Sequence, residues 1–205
     1  MNAPDPQPFA YPTTAHEYRH GPGYKDYESC RPWLRDEFDF RCVYCLFREQ
    51  WCPILSFHLD HFIPQAVDES RSTDFGNLVY SCPSCNSRKS AKTPPHPGLH
   101  LRADTVTVKE DGTIEGHTDE ARRIIRQLDL DAADYNEFRE TEIANVALAR
   151  ERTTGQYAGQ YQRLMGYPKD LPDLARLRPP TNTRPEGVQQ SAYARRQRGE
   201  LPDVY

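Results

Sequence analysis

The chain has 205 residues, 18 of them proline, with 37% hydrophobic and 27% charged residues and a formal net charge of −4. That supports one domain of modest core with disordered ends, rather than a fully compact chain of this length. No apolar run approaches the roughly 18 residues of a membrane-spanning helix, and the first residues lack a charged start followed by an apolar stretch, so no membrane is expected and the expected location is cytoplasmic.

Residues 1–15 are proline-rich and are expected to be disordered, with the domain proper over 16–152. In the stretch from His16 to Phe40, Pro32 fits the first turn of a short helix ending near Phe38. Trp33, Leu34, Glu37 and Phe38 then fall at helical spacing, with the apolar members facing the core. Tyr18, Arg19, His20, Tyr24 and Lys25 mix aromatic and basic groups in a glycine-containing loop, which makes them candidates for touching nucleic acid.

The centre of the chain, 41–92, carries two Cys-x-x-Cys pairs, Cys42/Cys45 and Cys82/Cys85. Each pair puts two sulfurs on one tight turn, and two pairs complete the tetrahedron that zinc prefers, with no open position left for chemistry. A structural zinc is expected; two disulfides or four core thiols are the alternatives. Cys30 and Cys52 lie outside these pairs and read as small core residues. Between the pairs, Ser56 to Phe62 reads as a short strand stopped by Pro64, and Asn77 to Ser81 as a second strand. Cys82-Pro83 opens a helix on which Asn86 and Lys89, three apart, share a face. His58, two residues before Asp60, points to the same side of an extended strand, and reads as a strand histidine bonded to a carbonyl rather than a site residue.

Taken together, Cys42-Val-Tyr-Cys45, Asp60-His61-Phe-Ile-Pro64, Asn77-Leu78 and Cys82-Pro-Ser-Cys85-Asn86-Ser-Arg-Lys89 resemble, in order and spacing, the pattern of the HNH endonucleases, the ββα-metal nucleases. The resemblance implies an α+β fold: a small ββα-metal core over 41–92, held by the zinc-bound knuckles, with flanking helices and a β-hairpin over 99–152. It also implies hydrolysis of phosphodiester bonds of DNA by water attack. His61 is by resemblance the general base. Asp60 and Asn86 would hold a catalytic divalent cation; a carboxylate and an amide carbonyl suit Mg2+ or Mn2+ better than a softer ion. Asn77 would brace the loop that carries His61, and Lys89 would neutralise a phosphate near the scissile bond. Arg88 and Lys92 flank Lys89 and would meet the nucleic-acid backbone.

Beyond the motif, the run from Thr105 to Ile114 alternates about Asp111-Gly112 and reads as a β-hairpin. Thr118 starts a helix with Ala121, Ile124, Ile125 and Leu128 on its apolar face, and a second helix spans about Ala132 to Arg152, with Tyr135, Phe138, Ile143 and Val146 inward. Residues 153–205 read as a flexible Pro/Arg-rich tail in which Arg176, Arg178, Arg184, Arg195, Arg196 and Arg198 have a single acid, Glu186, between them, a surplus that could track a phosphate backbone.

The functional expectation is therefore a metal-dependent endonuclease, with defence of a bacterium against phage or plasmid DNA as one biological setting. The alternative is a non-catalytic zinc-knuckle module that binds nucleic acid or protein. DNA is the expected partner, with RNA still open. The net acidity leaves binding local and weak, so a partner protein could supply targeting, and a lone site would need a homodimer or two visits to cut both strands.

Overall fold

The computed structural model describes residues 7–51, 54 and 56–205. Among them, two separate two-stranded antiparallel sheets and a set of mostly short helices make an α+β fold. Helix α1 (Arg31–Glu37) starts with proline in its first turn, as expected, and buries Trp33 and Leu34 completely. Strand β1 (His58–His61) pairs with β2 (Leu78–Ser81) in the register Asp60↔Val79 and His61↔Leu78. Leu78 and Val79 are fully buried in the main core, and removing each such side chain from water contributes about 1.5–3 kcal/mol. Helix α2 (Pro83–Lys89) follows β2 at once: Pro83 needs no N–H partner at the helix start, and Cys82 caps it by accepting from the Cys85 N–H.

The short α3 (Pro97–His100) leads to the hairpin of β3 (Val106–Val108) and β4 (Ile114–Gly116). Its connection is longer than a two-residue turn, with Gly112 at φ +76 pressed against the Asn136 carbonyl, where a side chain has no room. Helix α4 (Asp119–Gln127) begins where Thr118 caps it, and buries Ala121, Ile124 and Ile125, with Leu128 just beyond its end. Helix α5 (Ala133–Glu151) buries Tyr135 and Val146, while Phe138 and Ile143 pack half-buried against the core.

The two ends depart from expectation. Of the amino-terminal stretch expected to be disordered, residues 1–6 lie outside the described residues, but Phe9 and Tyr11 are buried. Phe9 sits edge-on to Trp51 and Phe138 at ring distances of 5.4 and 6.2 Å, and the Tyr11 hydroxyl donates to the Tyr44 carbonyl at 2.7 Å. The flexible tail expected over 153–205 is likewise corrected. It forms α6 (Gln160–Met165), α7 (Gly187–Gln190) and α8 (Ala192–Gln197), and folds back on the domain. Leu171 and Ala192 build a second small core around Phe40; the Trp51 indole N–H donates to the Leu164 carbonyl, and the Ala192 N–H to buried Asp36. A few anchors spaced irregularly among prolines, Met165, Leu171 and Leu174, replace helical periodicity, and that is why composition reads as disorder. Four of the tail arginines have intramolecular partners: Arg176 on Asp173, Arg184 on the Tyr18 carbonyl, Arg196 on the Pro168 carbonyl and Arg198 on Glu200.

The loop with Tyr18, Arg19 and His20 also faces inward rather than toward a ligand. The Tyr18 hydroxyl donates to the Leu78 carbonyl, Arg19 lies against Asp36 and Glu37, and His20 is buried on Asp36 at 2.9 Å. Two adjacent buried carboxylates on α1 need these donors, and the loop supplies them.

Candidate active site

The site is built where β1, β2 and α2 meet. Cys42 and Cys45 stand on a knuckle whose Cys42 N–H donates to the Phe47 carbonyl and whose Leu46 takes φ +59; Cys82 and Cys85 stand on the first turn of α2. All four are buried, and their sulfurs lie within 4.8 Å of one another. Cys45 and Cys82 are 3.7 Å apart, far beyond a disulfide bond, and both are free thiols. Cys52 lies outside the described residues, and Cys30 is buried as expected. Hydrogen bonds from the other three pull the Cys82 thiol far below its usual range, while burial pushes Cys45 and Cys85 up. Four sulfurs at tetrahedral reach, all excluded from water, fit a zinc ion, whose charge lets them be thiolates together. The Tyr135 hydroxyl, from α5, meets Cys85 Sγ at 3.1 Å and so ties the helical extension to this centre.

Next to the sulfur cluster lies the second set of residues. The strand register sets Asp60 and His61 at the end of β1, opposite Val79 and Leu78. Half-buried His61 directs Nε2 to the Ser72 carbonyl at 2.8 Å, with the Tyr27 ring edge-on at 4.8 Å. A carbonyl can only accept, so Nε2 carries the proton and Nδ1 keeps its lone pair. The Gln65 side-chain amide lies 3.3 Å from the same Nε2.

Asn77 is fully buried and holds that arrangement from behind. Its Oδ1 accepts from the Ile63 N–H at 2.8 Å, and its Nδ2 donates to the Ile63 and Arg71 carbonyls at 3.1 and 3.2 Å. Arg71 precedes Ser72, so one amide clamps both ends of the loop whose carbonyl fixes the imidazole.

Asp60 is 7% exposed. Its Oδ1 accepts from Lys89 Nζ at 2.9 Å and its Oδ2 from the Tyr44 hydroxyl at 3.2 Å. Lys89 is 1% exposed and also donates to the His61 carbonyl at 2.7 Å. Burial pushes the Asp60 carboxyl up, against the opposing pull of Lys89, and burial pushes the Tyr44 phenol well above its range, keeping it a donor. Lys89 therefore does not stand free at the surface as a phosphate contact, because the buried carboxylate takes it as its counter-ion. Asn86 is half-buried, one turn before Lys89 on the same helix, and its side chain makes no hydrogen bond among the described residues.

The flanking cations depart further from expectation. Arg88 donates to Asp134 at 2.7 Å and to the Asp129 carbonyl at 3.0 Å, over the ring of Tyr135. Lys92 donates to the Arg88 and Gln127 carbonyls at 3.0 and 2.7 Å. Both close the C-terminal ends of helices, where cations are favoured, and stitch α2 to the helical extension. His58 is exposed and bonds to no carbonyl among the described residues.

The sequence assigns no site role to Tyr44, Ser72 or Tyr135. Tyr44 is an unassigned letter inside the first knuckle, Ser72 acts through its backbone, and Tyr135 is recognisable only as a core aromatic; none carries a local signal of its role.

The HNH endonuclease family model matches residues 42–92. This stretch is an HNH domain. Neither the curated proteins nor the solved structures give a match to the chain. The HNH domain points to nuclease activity in general and to a nucleic-acid substrate. No helix among the described residues is long and apolar enough to cross a membrane.

Proposed function

We propose that the protein is a metal-dependent endonuclease that hydrolyses phosphodiester bonds of DNA by water attack. The observation that supports this most is the state of His61: Nε2 is committed to the Ser72 carbonyl, which in the neutral ring leaves Nδ1 as the basic atom, at the end of the strand that also carries the buried Asp60. A zinc-knuckle binding module has no need of an imidazole held in one tautomer.

In this reading Nδ1 of His61 takes the proton of the attacking water, and the imidazolium that forms stays oriented by Ser72. Asn77 keeps the loop, and through it the ring, from turning. Asp60 and Asn86 would hold a divalent cation. The donors fit such an ion in kind, an Asp60 carboxylate whose present counter-ion is Lys89 and an Asn86 side-chain amide with no hydrogen bond among the described residues. When bound, the ion would stabilise charge developing on the phosphate and on the departing 3′-oxygen, and Mg2+ or Mn2+ suits these oxygen donors. The products would carry a 3′-hydroxyl and a 5′-phosphate.

The test is nicking of supercoiled plasmid by the purified, zinc-loaded protein in Mg2+ or Mn2+. His61→Ala and Asn86→Ala should both lose nicking while zinc stays near one per chain. Equal nicking by wild type and His61→Ala would overturn the proposal.

A further inference from the structure

Lys89 is an unusual lysine. Its ammonium is excluded from water, lies 2.9 Å from Asp60 Oδ1 and 2.7 Å from the His61 carbonyl, and so receives two oxygens from the strand that carries the base. Burying an ammonium is costly unless it is paired and hydrogen-bonded, and these two contacts meet that condition. They are also oxygens of the kind a cation site uses, one carboxylate and one carbonyl, and one turn back on α2 stands the Asn86 side-chain amide, which has no hydrogen bond among the described residues.

The other half of the carboxylate is not free to compensate. Asp60 Oδ2 is tied to the Tyr44 hydroxyl, and Tyr44 is fully buried, with its own carbonyl accepting from Tyr11. Oδ2 keeps a second lone pair, but a dication there would still share one small carboxylate with the Lys89 ammonium. A dication at Oδ1 would stand within a few ångströms of the ammonium, where like charges in a site of low dielectric repel strongly.

We infer that Lys89 is a built-in stand-in for the catalytic cation: it neutralises Asp60 in the metal-free protein, and a divalent ion binds by displacing it. The inference rests on the reading of Asp60 as a metal ligand and adds that metal binding is an exchange of one cation for another. Lys89 is then a weight against the metal, setting its affinity low until the ammonium finds another anion, such as the phosphate of a bound substrate. Metal and nucleic acid would bind cooperatively, since the displaced ammonium is satisfied by the second ligand.

The experiment uses the full zinc-loaded chain and Mn2+ alone, with free Mn2+ followed by electron paramagnetic resonance. Lys89→Met, and Lys89→Gln as a second variant, should bind Mn2+ at least tenfold more tightly than wild type, and Asp60→Asn should abolish that binding. Unchanged or weaker binding by both Lys89 variants, with Asp60→Asn still abolishing it, would overturn the exchange while leaving the metal reading in place. Binding untouched by Asp60→Asn would remove the metal reading, and the inference with it. A wild-type measurement covers the case in which neither variant folds: on titration with Mg2+, the 15Nζ resonance of Lys89 should shift together with the Asp60 carboxyl 13C resonance. A carboxyl shift with an unmoved Lys89 signal overturns the inference.

Discussion

At the scale of single residues, the site depends on side chains whose bonds leave them one orientation each. Asn77 fills its acceptor and both donor positions with backbone groups of one loop, and that loop supplies the carbonyl that selects the His61 tautomer. Replacing it with alanine would take the partner from the half-buried Ile63 N–H, at a cost of about 1 kcal/mol for the lost hydrogen bond, and would free the imidazole. Asn77→Ala is therefore expected to unfold at lower urea and to lose nicking by at least tenfold with zinc content unchanged; a variant with wild-type nicking would show that the loop does not orient the base. The sequence singles out His61, Asp60, Asn77, Asn86 and Lys89 by their spacing within a four-cysteine frame, and the structure brings Asp60, His61 and Lys89 into contact. The partners they choose were not legible there: that Lys89 turns inward to Asp60 depends on how close α2 lies to β1, which no residue spacing states.

At the scale of elements, the hairpin and helices were readable, since β3, β4, α4 and α5 each follow a local rule of alternation, capping or helical spacing. What local rules omit is how the helical extension engages the sulfur cluster. Tyr135 reaches Cys85, and Arg88 crosses from α2 to Asp134 over the same ring, so α5 is part of the sulfur cluster's surroundings and not an independent packing layer. Removing a hydrogen bond to a ligand sulfur typically lowers metal affinity about 10–100-fold. Tyr135→Phe, which keeps the ring and its stacking with Arg88, should give up zinc to a chelator at correspondingly lower chelator concentration. Zinc retention equal to wild type would mean that the hydroxyl contributes nothing to the centre.

At the scale of the whole molecule, the sequence reading was least informative where the chain returns on itself. Proline and arginine suggested a tail with no packing, yet Asp36, Phe40 and Trp51 each take a partner from beyond residue 160. Asp36 is 1% exposed and would lose the Ala192 N–H. A chain ending at residue 152 is expected to melt at least several degrees lower than the full chain and to bind a dye specific for exposed apolar surface; an unchanged melting temperature would show that the return contributes nothing to stability.

The proposed function places the activation of water on His61 Nδ1, and chemical rescue tests that proposed role most directly. His61→Gly should be inactive on supercoiled plasmid in Mg2+, and added imidazole should restore nicking in proportion to its unprotonated fraction. Nicking by His61→Gly at the wild-type rate without imidazole would contradict the account.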